Sequence, residues 1–282
     1  MRLVSGEVEV VLAPSNGGAL CSMRIGGTDI LRPAAPDASV PLEMASFPLV
    51  PYANRIAHGR FRFDGRDHRL PLNFGDHPHN LHGLGWTSEW EIRDITEASA
   101  VLYYRHDNGA DWPWPHEAIQ TIELDAAGSV RIVLSARNLA DSAMPIGLGF
   151  HPYFVVTPHS RLRFGASSVW LSDPDMLPLV EAAPNFFGDW ATGAAASGDC
   201  LIDNVYFGWT GEAEIDRGDG KTIVLRSNSG PWLHLFRPPH QNFLCLEPVT
   251  HMPDAINQSG GMDTLRPGAT RTIAMTIALR EA

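Results

Sequence analysis

Ile122-Glu123-Leu124-Asp125-Ala126-Ala127-Gly128-Ser129-Val130-Arg131-Ile132-Val133-Leu134 is the stretch that decides the fold class. Ile122 and Leu124 alternate with polar residues before Ala127-Gly128, and Val130, Ile132 and Leu134 repeat the alternation after it. A period of two turns one face of a strand inward and the other outward, and a glycine between two such runs supplies the turn, so the segment reads as a β-hairpin. The pattern recurs in Val8 to Leu12, Phe61 to Phe63, Val101 to Tyr104, Thr222 to Leu225, Trp232 to Phe236 and Thr272 to Leu279. Asp64-Gly65 and Asp219-Gly220 mark two further turns beside such runs. Amphipathic helical patterning is nearly absent. Even the Ala-rich stretch from Ala191 to Ala196 is interrupted by Gly193 and reads as loop or a helical turn. The 26 glycines and 22 prolines punctuate strands without marking a linker. The expectation is one all-β domain over residues 1–282, a large antiparallel β-sandwich rather than a closed barrel, because long irregular loops interrupt the strands.

Bulk properties narrow the function classes. A chain of 282 residues buries enough surface to fold without disulfide or metal staples. The net charge of −11 disfavours nucleic acid or an anionic membrane as partner, since either needs a basic footprint. The start of the chain lacks a basic region followed by an apolar one, and no apolar run approaches the ~18 residues that span a bilayer. These features point to a cytoplasmic protein. Cys21, Cys200 and Cys245 lack CxxC spacing and read as reduced, buried thiols.

Four segments gather ionisable residues beside aromatics: Pro51 to Ile56, His77 to Gly83, Gly149 to Phe154, and Leu244 to Pro248. A weaker fifth runs from Leu201 to Phe207. His77, His79 and His82 share the i, i+2, i+5 histidine spacing of the metallo-β-lactamase-like signature HxHxDH, but Leu81 stands where that signature has its aspartate. The alternative is that His77 and His79 are solvated loop residues. His151, between Phe150 and Pro152, has the surroundings of a core histidine. Glu247 follows the apolar run Phe243 to Leu246, where a carboxylate is costly to bury unless paired or functional. On strand spacing Leu244 and Leu246 face one way, while Phe243, Cys245 and Glu247 face the other, with Glu247 at a strand end.

Taken in order, Asn54-Arg55-Ile56 with Gly59, Leu81-His82-Gly83, His151-Pro152-Tyr153-Phe154, and Leu246-Glu247 with Pro253-Asp254-Ala255 and Asn257 resemble the aldose 1-epimerase (galactose mutarotase) family over nearly the whole chain. The resemblance implies a galactose mutarotase-like β-sandwich and a monosaccharide partner, with neither cofactor nor metal. It implies that Glu247 is the general base and His151 the general acid, that Arg55 and His82 hold the sugar, and that Asp203 binds a sugar hydroxyl. Asn54 and Trp86 join the sugar-binding set, with Trp112 and Trp114 as further candidates for an apolar platform. Phe150, Leu84 and Val155-Val156 depart from the family pattern and leave the sugar's identity open.

Those residue types suit the chemistry. Opening a cyclic hemiacetal removes a proton from the anomeric hydroxyl while the ring oxygen is protonated. A carboxylate of ordinary pKa near ~4.3 accepts the first proton and a histidine near ~6.5 supplies the second. Three other readings stand beside this one. A hexose-6-phosphate epimerase needs a basic clamp, for which Arg55, Arg60, Arg237 and Lys221 are the candidates. The others are a non-catalytic sugar-binding module on the same fold and a zinc hydrolase.

Overall fold

The alternation seen in sequence becomes two large antiparallel sheets in the computed structural model, which describes residues 1–281. Among the described residues the helices are single 3-10 turns, and none is long and apolar enough to cross a membrane. The opening hairpin pairs His116–Asp125 with Ser129–Asn138. Its turn is closed by the Gly128 N–H on the Asp125 carbonyl at 3.0 Å, and the Asp125 side chain accepts the Ala127 N–H at 2.9 Å. Asp64 and Gly65, both with positive φ, form the two-residue turn between Arg60–Phe63 and Arg66–Arg69.

One sheet has nine strands, with the hairpin near its centre beside the long strand Thr270–Glu281. Register places Ala100, Ile122, Ile132 and Met275 side by side, and all four are buried. The other sheet has twelve strands. Its middle is built from Tyr153–Val155, Phe243–Val249, Trp232–Arg237 and Ile202–Phe207, neighbours in that order. Leu233, Leu235, Leu244 and Leu246 point from this sheet into the apolar layer shared with the first sheet. That layer is the sandwich core, and it holds residues of both sheets.

The opposite face of the twelve-stranded sheet carries a different set. Cys245, Tyr153 and Val249 belong there to a smaller apolar group with Phe47 and Trp86. His234 stands directly opposite Glu247 in the ladder, and Asp203 directly opposite Phe236, so His234, Glu247 and Asp203 all lie on this face. The segments around Pro48–Leu49 and Asn80–Leu81 are tied to it by the pairing of Gly149 with Leu49 and by the bridge between Val50 and Gly83.

Several local expectations are corrected. Glu247 is not at a strand end, because its strand continues through Pro248 to Val249 and stays paired. Asp203, in the weakest of the five segments, lies on the strand Ile202–Phe207. The alternation is lost there because Ile202, Asn204, Val205 and Tyr206 are all buried. Ala194–Ala195 forms a short strand against Arg161–Leu162 where a loop or a helical turn was expected. Cys245 is buried, but Cys21 is half-buried and Cys200 exposed.

Leu246 is fully buried on the inter-sheet side. Leu246→Ala is expected to lower the unfolding free energy by about 2–5 kcal/mol, read from urea denaturation, through lost transfer energy and the cavity left behind.

Candidate active site

Glu247 and His151 meet on the face away from the core. His151 Nε2 lies 3.3 Å from Glu247 Oε1, and their side chains are only 8% and 3% exposed. The two come from distant segments that pair beside one another, Gly149 with Val249 and Tyr153 with Cys245. The His151 ring is held between Phe47 at 4.5 Å and Tyr153 at 4.8 Å, both stacked on it. Its apolar neighbours therefore clamp the ring faces while Nε2 on the edge is directed at the carboxylate.

Burial changes the chemistry expected of this pair. It pushes Glu247 up to about 7, an effect that the nearby His234 charge reduces, and it pushes His151 down to about 3. The ordinary values used in reading the sequence are thus displaced in opposite directions. At neutral pH the favoured resting form is a near-neutral couple sharing one exchangeable proton. A carboxylic acid facing a neutral imidazole and a carboxylate facing an imidazolium differ only in where that proton sits.

Around the couple is a shell of hydrogen-bonding groups. The Asn54 backbone N–H donates to His82 Nδ1 at 3.0 Å, and the His82 N–H returns a bond to the Asn54 carbonyl at 2.8 Å. Burial, then the neighbouring His151, push His82 well below its usual range, so the ring is neutral. With Nδ1 accepting, its single proton sits on Nε2, available to a ligand oxygen. Arg55 donates through Nη1 to Asn54 Oδ1 and through Nη2 to Asp203 Oδ2, each at 3.0 Å. Asp203 Oδ1 accepts from His234 Nε2 at 2.6 Å. Burial alone would raise Asp203, but the hydrogen bonds and charges of His234 and Arg55 outweigh it and hold the carboxyl well below the usual carboxylate range. Arg55 Nε, His151 Nδ1 and His234 Nδ1 are buried and have no partner within the protein. Three orphaned polar nitrogens in one place suit a site that receives a polar ligand.

The backbone holds this shell under constraint. Asn54 and His82 both have positive φ, a costly conformation for residues with side chains. Gly83 follows with φ of +70°, and a Cβ there would lie 2.6 Å from Pro51 Cδ. Asp254 braces the other side. Its N–H bonds the Arg55 carbonyl at 2.7 Å, and its carboxylate accepts the Ala57 N–H at 2.9 Å and the Asn257 side chain at 2.7 Å. Asp254 and Asn257 therefore act as supports for Arg55.

Other candidates separate from the site. Trp86 is 3% exposed, donates its indole N–H to the Gly83 carbonyl and packs on Phe47 and His82, so it supports them from behind. Trp112 and Trp114 are buried with Phe61 in another aromatic group. No indole among the three offers the open face of a platform. His79 is fully buried rather than solvated, with Nδ1 taken by the His58 N–H and Nε2 by the Asp175 carbonyl. His77 accepts the His79 N–H, and the ring nitrogens of His77, His79 and His82 do not converge. Among the described residues the metal-ligand type atoms that do converge, within 4.8 Å, belong to His151, Cys245 and Glu247. Burial holds the Cys245 thiol well above its usual range, so it is a neutral wall and not a thiolate ligand. Of the suggested phosphate clamp only Arg55 is here. Lys221 bonds Thr28, and Arg237 bonds the Ala195 carbonyl. A cavity of about 350 Å³ lies between Phe164, Asn185, Asp189 and Trp190, but it holds no acid–base couple.

A family model described as aldose 1-epimerase matches residues 2–278. The chain belongs to the aldose 1-epimerase family. Uncharacterized protein YphB of Escherichia coli K12 is 31% identical over 274 residues, 93% of this chain and 92% of that protein. Galactose mutarotase of Mus musculus is 31% identical over 133 residues, 46% of this chain and 37% of that protein. A solved Escherichia coli K12 structure, described as a candidate aldose 1-epimerase, superposes with a TM-score of 0.91 at 28% identity, covering 100% of this chain and 98% of the other. The β-sandwich is thus the fold of aldose 1-epimerase family members.

Three residues of this epimerase-family site escaped the reading of the sequence. Phe47 lies in a stretch with no pattern. His251 accepts the Ala53 N–H at 3.2 Å and fixes the backbone before Asn54. His234 gave a usable signal, since it lies on the same face of an alternating strand as Trp232 and Phe236.

The raised pKa of Glu247 has a consequence for stability. The folded protein prefers the neutral carboxyl, so this contribution is complete below the unfolded value near ~4.3 and is lost as pH rises through about 7. Glu247→Gln is expected to be more stable than the wild type at pH 8–9, by up to about 3 kcal/mol, with the gain vanishing only below about pH 4. Thermal melts across pH check this.

Proposed function

We propose that this chain catalyses interconversion of the α and β anomers of a free aldose. The observation that carries the reading is the buried contact between Glu247 and His151 at 3.3 Å, framed by sugar-compatible donors from His82 and Arg55. The two oxygens that exchange protons in ring opening are bonded to the same carbon, so base and acid must lie within a few ångströms of each other. Family membership and the likeness to galactose mutarotase support the same reaction class.

In the proposed cycle Glu247 takes the proton from the anomeric hydroxyl as the bond from C1 to the ring oxygen breaks. The ring oxygen takes the proton of His151, and C1 becomes an aldehyde. Glu247 is then a carboxylic acid and His151 a neutral imidazole, the form that burial favours. The aldehyde turns about C1–C2, the hydroxyl attacks its other face and returns its proton to His151, and Glu247 reprotonates the anomeric oxygen. The couple ends as it began. Each placed proton transfer is worth about 10²–10⁴-fold.

A couple that works by shifting one shared proton fails when that proton is lost. The value of about 7 for Glu247 therefore places the alkaline limb of kcat/KM. Mutarotation followed by polarimetry should be faster than the buffer rate and should decline as pH rises through about 7. Glu247→Gln and His151→Ala should each reduce it by about 10²-fold or more. A wild type no faster than buffer on any common aldose would overturn the proposal.

A further inference from the structure

A second couple stands beside the first. His234 is 2% exposed, faces Glu247 directly across the ladder, and is bonded through Nε2 to Asp203 Oδ1 at 2.6 Å. Asp203 is bonded in turn to Arg55, with side-chain exposure of 12% on each partner. Glu247 thus lies against a buried row of His234, Asp203 and Arg55, in which one carboxylate serves two bases.

We propose that His234 is a positioning residue for the acid–base couple: fixed by Asp203, it presents a buried cation beside Glu247 that keeps the shared proton labile. A charged His234 and Arg55 against one Asp203 leave a net positive charge facing Glu247. The other titratable groups on this face do not offset it. His82 and His151 are driven toward neutrality by burial, and Cys245 and Tyr153 are held protonated by it. Arg32 stacks over Tyr153 at 4.0 Å and adds to the positive side. Burial would discharge His234 too, but its bond to Asp203 and the charges of Glu247 and Asp203 favour the cation. Without that cation Glu247 would hold its proton more tightly, and less of the couple would carry Glu247 as the proton-accepting carboxylate at neutral pH. His234 Nδ1, buried and without a partner, is the nitrogen whose protonation distinguishes the two states.

The proposal rests on the acid–base reading for its kinetic arm only. His234→Gln keeps an N–H for Asp203 and removes the charge. In that variant the alkaline limb of kcat/KM should move up by about one pH unit or more. The Glu247 carboxyl, followed by infrared difference against Glu247→Gln, should titrate higher by a similar amount. That measurement needs no turnover, so it stands even if mutarotation is not the activity. Nitrogen-15 NMR of the wild type gives a test that needs no folded variant: at pH 7 one buried histidine should have both ring nitrogens protonated. A carboxyl titration unmoved by His234→Gln, or buried histidines that are all neutral at pH 7, would overturn the proposal.

Discussion

The constraint on which this site depends is a carboxylate almost wholly shielded from water. Glu247 is 2% exposed on a sheet face, and burying an ionised carboxylate without partners is among the most expensive things a fold can do. The surroundings reduce that cost in two ways. His151 stands within reach of the carboxyl, so a proton can neutralise the pair, and the His234–Asp203–Arg55 row supplies a compensating charge. Burial lifts Glu247 from near ~4.3 to about 7, a rise that the His234 charge limits, and a carboxyl there exchanges protons readily at neutral pH. The energetic problem and the catalytic opportunity are the same fact.

The remaining architecture keeps that arrangement rigid. The sandwich core needs only one face of the twelve-stranded sheet, and Leu244 and Leu246 supply it. The alternate residues of the same strand thereby face the candidate site on the other side, where Phe47 and Tyr153 fix the His151 ring. Asn54 and His82 are held in left-handed backbone conformations by reciprocal bonds, while His251 and Asp254 anchor the flanking residues. Strain of this kind persists only where surrounding structure over-determines it.

Much of this was legible in the sequence. Period-two alternation identified the strand from Val130 to Leu134 and the two faces of Phe243 to Leu246, because that signal is local and survives one-sided burial. It failed at Asp203, whose strand is buried on both faces and so reads as unpatterned. It also failed to end the strand correctly at Glu247, since a proline at the second-last paired position resembles a terminator. His151 and Glu247 were individually ambiguous, and only their order with Arg55 and His82 singled them out. Their pKa values were not legible at all. Those come from segments about a hundred residues apart closing over one point, which sets burial and the neighbouring charges together. His234 went unnoticed for the same reason, since its meaning lies in its register with Glu247.

The most direct test of the catalytic account is a crystal structure of the protein with a bound aldose. The account predicts the anomeric oxygen within hydrogen-bond distance of Glu247 and the ring oxygen within that distance of His151 Nε2. A sugar bound on this face with both oxygens turned away from the pair, or bound only elsewhere on the molecule, would contradict it.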